Sequence, residues 1–168
     1  MTLTIKDLSS LFDGAVRVVK KEGFLIPCRF TKEQLLYYKG LTHPQKTDFF
    51  EKALASSNIR IAFRTDSPFF SFDYYVNRAS GRNFYYFDVF VDGSLVLHQG
   101  EEGVSQGAGK LRVALPEGEH LVTVYCPTLF SASVANFTVA DGATVTPVSK
   151  KRRILFLGDS LTQGYDAK

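Results

Sequence analysis

From Ile59 onward the chain alternates. Ile59, Ile61 and Phe63 are interleaved with Arg60, Ala62 and Arg64, and Phe70, Phe72, Tyr74 and Val76 with Phe69, Ser71, Asp73 and Tyr75. A period of two puts one set of side chains on each face of an extended strand, so each such run needs a second apolar surface to cover it. Further strand-like runs are Phe84 to Val91, Ser94 to His98, Leu111 to Leu115, Leu121 to Cys126, Val134 to Val139 and Thr144 to Thr146. Turn residues separate them: Thr65 to Pro68, Asp92-Gly93, Pro116 to Glu119 and Asp141-Gly142. Both Asp-Gly pairs predict hairpins. About nine strands at turn spacings of roughly eight to twelve residues predict a mainly β chain, an antiparallel β-sandwich or jelly roll. Asn77 to Asn83 reads as a polar loop. Gln99 to Lys110 reads as a Gly-rich loop, and it lacks the Lys-Ser/Thr ending of a phosphate-binding loop.

The N-terminal part is mixed. Ala15 to Lys20, the turn Lys21-Glu22-Gly23, and Phe24 to Phe30 predict an opening hairpin, with Pro27 assigning the second strand to an edge or a bulge. Thr31-Lys32-Glu33-Gln34 is a capping box that starts a short helix through Tyr38, with Leu35 and Leu36 facing inward. Thr47-Asp48 opens a second helix, which runs toward Ser56 to Asn58 and carries the apolar stripe Phe49, Phe50, Ala53 and Leu54. Aromatic stripes of this kind read as core. The expectation is two short helices near the N-terminus and a sandwich domain spanning residues 1–148.

Composition narrows the function classes. The 168 residues are 45% hydrophobic and 22% charged, ordinary globular values. Fifteen Phe and eight Tyr with no Trp suit a β core. A net charge of +3 does not imply nucleic acid, and the basic run Lys150 to Arg153 reads as a solvated linker. No apolar run reaches membrane-span length, so no membrane partner is expected. Met1 to Asp7 lacks a basic stretch followed by an apolar one, and Cys28 and Cys126 read as buried free thiols. Both point to a reducing cytoplasm. His43, His98 and His120 have no Cys or acidic residue at ligand spacing, so neither a metal nor a cofactor is expected. Tyr74-Tyr75 and Tyr85-Tyr86 offer one ring to each strand face, so one Tyr of each pair is expected in the core. The outward rings would suit a carbohydrate-binding sandwich, against which the absence of Trp weighs.

The chain's last stretch carries different chemistry. Ile154 to Leu157 is a continuous apolar run, as in a buried strand of a parallel sheet, and Gly158-Asp159-Ser160-Leu161 follows at once. A Ser at such a strand end has a rigid support and, from the following helix N-terminus, oriented backbone N–H groups.

Gly158-Asp159-Ser160-Leu161 after a hydrophobic strand resembles the first motif block of the GDSL (SGNH) hydrolases, and Thr162-Gln163-Gly164 is a common continuation there. The resemblance implies that Ser160 is the nucleophile, that its backbone N–H is one oxyanion-hole donor, and that Asp159 shapes the loop without being the triad acid. Gly158 and Leu161 support the motif. The family's other oxyanion donors and its Asp-x-x-His block are missing, for neither Gly-x-Asn-Asp nor Asp-x-x-His occurs in the chain. A Ser without a base is a weak nucleophile, so this chain alone is expected to be inactive. Residues 149–168 then read as a linker and the truncated start of an α/β SGNH domain, whose missing remainder would be the sandwich's partner. The bare strand 154–157 would be disordered, or pair with a sandwich edge or a second copy. A sandwich ahead of a GDSL block is similar to the architecture of family 2 carbohydrate esterases and some GDSL acyltransferases. That resemblance implies an accessory domain of a serine esterase or acyltransferase acting on small or carbohydrate acyl esters.

Overall fold

The computed structural model describes residues 1–3, 5–41 and 49–148. Among the described residues eleven strands form two antiparallel sheets packed face to face. One sheet has the order β2 (Arg17–Lys21), β3 (Phe24–Cys28), β10 (Phe130–Val139), β5 (Phe69–Arg78) and β8 (Gln106–Ala114). The other has β4 (Arg60–Thr65), β9 (His120–Tyr125), β6 (Phe84–Val91) and β7 (Ser94–Glu102) in that order. Two short strands, β1 (Phe12–Asp13) and β11 (Val145–Pro147), share the outer edge of β4 end to end. From β3 to β10 the chain crosses between the sheets at every step except the β6–β7 hairpin, which is the connectivity of a jelly roll.

The alternation places the core where the sequence predicts it. Phe70, Phe72, Tyr74 and Val76 of β5 point inward, as do Tyr85, Phe87, Val89 and Val91 of β6 and Leu111 and Val113 of β8. Phe63, Phe70, Phe72 and Phe137 make edge and stacked contacts with ring centroids 5.2 to 6.5 Å apart. Glu22-Gly23 and Asp92-Gly93 both adopt positive φ at two successive residues, the geometry that matches strand twist in a two-residue hairpin. Thr31 caps α2 (Lys32–Gly40) by accepting from the Gln34 N–H, while the Gln34 side chain accepts from the Thr31 N–H.

Several expectations are corrected. Gln99 to Lys110 is mostly strand: β7 continues to Glu102 and β8 begins at Gln106. Gly107 and Gly109 mark close approach of backbone to aromatic rings, since a Cβ on Gly107 would lie 2.5 Å from the Tyr85 hydroxyl and one on Gly109 2.8 Å from that of Tyr74. Asp141-Gly142 makes no hairpin. It carries the chain from β10 across to the other sheet, where Val145 pairs with Thr65. The strand holding Pro27 is interior, but β10 reaches β3 only at Leu25, so the missing N–H of Pro27 breaks no ladder there. Leu35 is buried whereas Leu36 is 60% exposed, because a helix cannot turn both neighbours to one side. The second helix, α3 (Phe49–Ala53), is shorter than the apolar stripe suggests, and Leu54 lies exposed beyond it. Its predicted start at Thr47-Asp48 lies outside the described residues. A further helix, α1 (Ile5–Ser10), and the short β1 have no counterpart in the sequence reading; Leu8 and Leu11 tie this segment to the core.

Candidate functional site

Ser160, with its supporting residues Gly158, Asp159 and Leu161, lies outside the described residues, as do the apolar run 154–157, the basic run 150–153 and His43. The described residues hold other chemistry. Cys126 is buried, which pushes its thiol up to about 12, and burial also raises that of Cys28, so neither is an activated nucleophile. Among the described residues no three His, Cys, Asp or Glu side chains gather as a metal site would need.

Both described histidines pair with aspartates. His98 Nδ1 lies 2.5 Å from Asp88 Oδ1, and its ring stacks on Tyr86 at 4.0 Å. His120 Nδ1 lies 2.7 Å from Asp92 Oδ2, while Asp92 Oδ1 accepts from the Leu121 N–H at 2.9 Å. Asp92 thereby ties the β6–β7 turn to β9. Its hydrogen bond with His120 holds its own carboxyl below the usual range and raises His120. The signs are opposite for the two groups. The His120 contribution is complete below about pH 6.5 and is lost as pH rises through its raised folded-state value; that of Asp92 is complete above about pH 4 and is lost as pH falls. The melting temperature of the wild type is therefore expected to fall toward that of Asp92→Asn as pH rises from about 6 to about 9. Thermal melts across that range check this, and parallel curves for the two proteins would rule the pair out as a stabilising contact.

The outer face of the five-stranded sheet carries a cleft of about 430 Å³. β10 builds its floor from the small side chains of Ser131 and Ser133. Phe24 and Ile26 of the β2–β3 hairpin form one wall, and Tyr75 and Asn77 of β5 the other. The wall can stand away from the floor because β3 and β10 share only the pair Leu25 and Val134. Tyr75 is 37% exposed while Tyr74 is buried, so the tyrosine pair divides between faces as its alternation predicts. Tyr85 and Tyr86 divide likewise, Tyr85 going to the core. The Tyr75 hydroxyl lies 3.2 Å from both Asn77 Oδ1 and Gln106 Oε1, and donates its one hydrogen to either. Ser131 Oγ donates to the Asn77 carbonyl and Ser133 Oγ to the Tyr75 carbonyl. At the rim, Lys21 and Glu22 pair with each other at 3.7 Å.

Of these residues only Tyr75 carried a sequence signal, as the outward member of a tyrosine pair. The rest come from strands far apart in the chain, and Gln106 lay in a stretch that read as a loop.

No protein-family model matches the chain, and no curated protein does. Solved structures do. The chain is similar to the salicylyl-acyltransferase SsfX3 from a tetracycline biosynthetic pathway, with 25% identity and a TM-score of 0.73 over 90% of this chain and 42% of that one. It is also similar to a GDSL-like lipase from Bacteroides ovatus, with 14% identity and a TM-score of 0.53 over 91% of this chain and 44% of that one. The chain thus spans less than half the length of either protein. A family 35 carbohydrate binding module from an environmental isolate aligns over 56% of this chain at a TM-score of 0.38, too low to bear on function.

Proposed function

We propose that this chain is the N-terminal sandwich of a GDSL (SGNH) serine enzyme that hydrolyses or transfers acyl groups, and that Ser160 is its nucleophile. The observation that carries this reading is the likeness to the salicylyl-acyltransferase across nine tenths of the chain. The apolar run 154–157, which reads as a strand, and the block Gly158-Asp159-Ser160-Leu161 follow the sandwich within a few residues of sequence, which agrees with it. The catalytic partner would be an α/β domain supplying the His and Asp that this chain lacks. The sandwich would pack against that domain and help wall the acyl-ester site.

In the proposed mechanism Ser160 Oγ attacks the ester carbonyl as the His takes its proton. The Ser160 N–H helps hold the oxyanion, and the leaving alcohol departs with the proton from the His. Water or another hydroxyl then resolves the acyl-enzyme. Two unpaired thiols support a reducing, cytoplasmic setting. In a protein joining this chain to such a domain, Ser160→Ala is expected to lower aryl-acetate hydrolysis at least about 10³-fold, and toward the roughly 10⁶-fold loss that removing a serine-hydrolase nucleophile costs. Retention of the wild-type rate would sink the assignment.

A second reading is a carbohydrate-binding sandwich. The observation favouring it is the cleft on the five-stranded sheet, with the half-exposed ring of Tyr75 in its wall.

A further inference from the structure

We infer that the cleft of the five-stranded sheet is a subsite for a neutral sugar ring, with Tyr75 as the stacking surface, Asn77 as a donor, and Ser131 and Ser133 as acceptors. This rests on the second reading above and gives it a place and a ligand class.

The polar groups are set up for hydroxyls. Both Ser hydroxyl hydrogens are engaged by backbone carbonyls, at 3.4 Å for Ser131 and 3.0 Å for Ser133. With those hydrogens engaged, the two hydroxyl oxygens in the cleft lining keep capacity only as acceptors. The Tyr75 hydroxyl sits against the carbonyl ends of Asn77 and Gln106, which turns both NH₂ groups away from it as donors. A sugar hydroxyl both donates and accepts, so it can satisfy the two kinds of site at once.

The apolar groups suit the same ligand. Phe24 and Ile26 face Tyr75 across a floor of small side chains, so a flat ring with C–H faces can enter with apolar surface on either side. An aliphatic peptide side chain would fill the space but leave the polar groups without partners.

Charge excludes ionic ligands. Lys21 and Glu22 neutralise each other at the rim. On the same face Lys110 pairs with Asp73 at 3.4 Å, and Asn136 Nδ2 donates to Asp73 Oδ2 at 2.7 Å. Among the described residues lining the cleft the cation is Lys21, and it is paired with Glu22, which leaves none there to hold a phosphate or a carboxylate. The volume of about 430 Å³ lies within the range of small-ligand clefts, roughly 300–1,000 Å³.

The test is a titration of the 168-residue chain with xylotetraose, cellotetraose and mannotetraose, followed by amide chemical shifts. At least one sugar is expected to give saturable shifts centred on Tyr75, Asn77, Ser131 and Ser133, with a Kd between about 10 μM and 1 mM. Tyr75→Ala should weaken binding at least about tenfold and Tyr75→Phe, which keeps the ring, no more than about threefold. Tyr86→Ala, on the other sheet, should leave it unchanged. A folded Tyr75→Ala chain that binds as the wild type does would overturn the inference. Saturable shifts centred elsewhere would overturn the cleft but keep the sugar-binding reading, and no saturable shift with any of the three would end both. None of these outcomes touches Ser160, whose role is read from ester turnover.

Discussion

Phe137→Ala is expected to destabilise the sandwich by about 3–5 kcal/mol, the cost of removing a buried aromatic and leaving its cavity. Phe137 is fully buried. Its ring meets Phe63 edge-on at 5.2 Å and stacks on Phe70 and Phe72 at 6.1 and 6.2 Å, so it bridges the two sheets. The flanking rings belong to paired strands and cannot collapse into the space without moving a ladder. Against a typical domain stability of about 5–15 kcal/mol this loss decides whether the chain stays folded at ambient temperature. Denaturant unfolding of wild type and variant measures it. Leu36→Ala is the control: Leu36 is apolar but 60% exposed, and its truncation should stay within about 0.5 kcal/mol. Equal costs at the two positions would mean that Phe137 is not at the centre of the core.

How Phe137 reaches the core shows what the alternation could and could not carry. Between Ile59 and Val91 the two-residue period predicts the inward residues of each strand, although Ala62 and Ser71 of the alternate set are buried as well. In β10 the register slips between Ala135 and Thr138, and Asn136 takes φ +52°. The extra residue turns Phe137 inward three positions after Val134. A bulge of this kind leaves no mark in the sequence except an Asn, which tolerates the left-handed region better than most residues. β11 lies where Thr144 to Thr146 predicts a strand, but its partner differs from the hairpin reading for a related reason. Asp141-Gly142 has the composition of a hairpin, but whether the chain turns back or crosses to the opposite sheet is settled by which edge stands open, here that of β4 beyond β1. The same limit governs the two candidate sites. Gly158-Asp159-Ser160-Leu161 is contiguous and could be read as a motif. The cleft joins Phe24, Tyr75 and Ser133 from three strands, so it exists only once the sheet order is known.

Gly100→Ala is expected to cost at least about 3 kcal/mol, the upper end of overpacking penalties. Gly100 sits in β7 opposite Tyr86 of β6. A Cβ there would overlap the Tyr85 carbonyl oxygen and come within 2.7 Å of the Tyr86 ring. The carbonyl is backbone in the β6–β7 ladder, so it cannot rotate aside as a side chain would. Relief requires β6 and β7 to separate, and with them the strand that carries Tyr85 and Phe87 into the core. Gly103 isolates this contact effect from backbone preference. It has φ +76° and open space where its Cβ would be, so Gly103→Ala meets only the left-handed penalty, about 1–2 kcal/mol. The two glycines lie three residues apart in a stretch whose composition suggests a flexible loop, and a loop would tolerate both substitutions alike. Denaturation midpoints in the order wild type, Gly103→Ala, Gly100→Ala are therefore the result that a β7 strand requires. A Gly100→Ala chain as stable as Gly103→Ala would mean that β6 and β7 do not approach as closely as the fold demands.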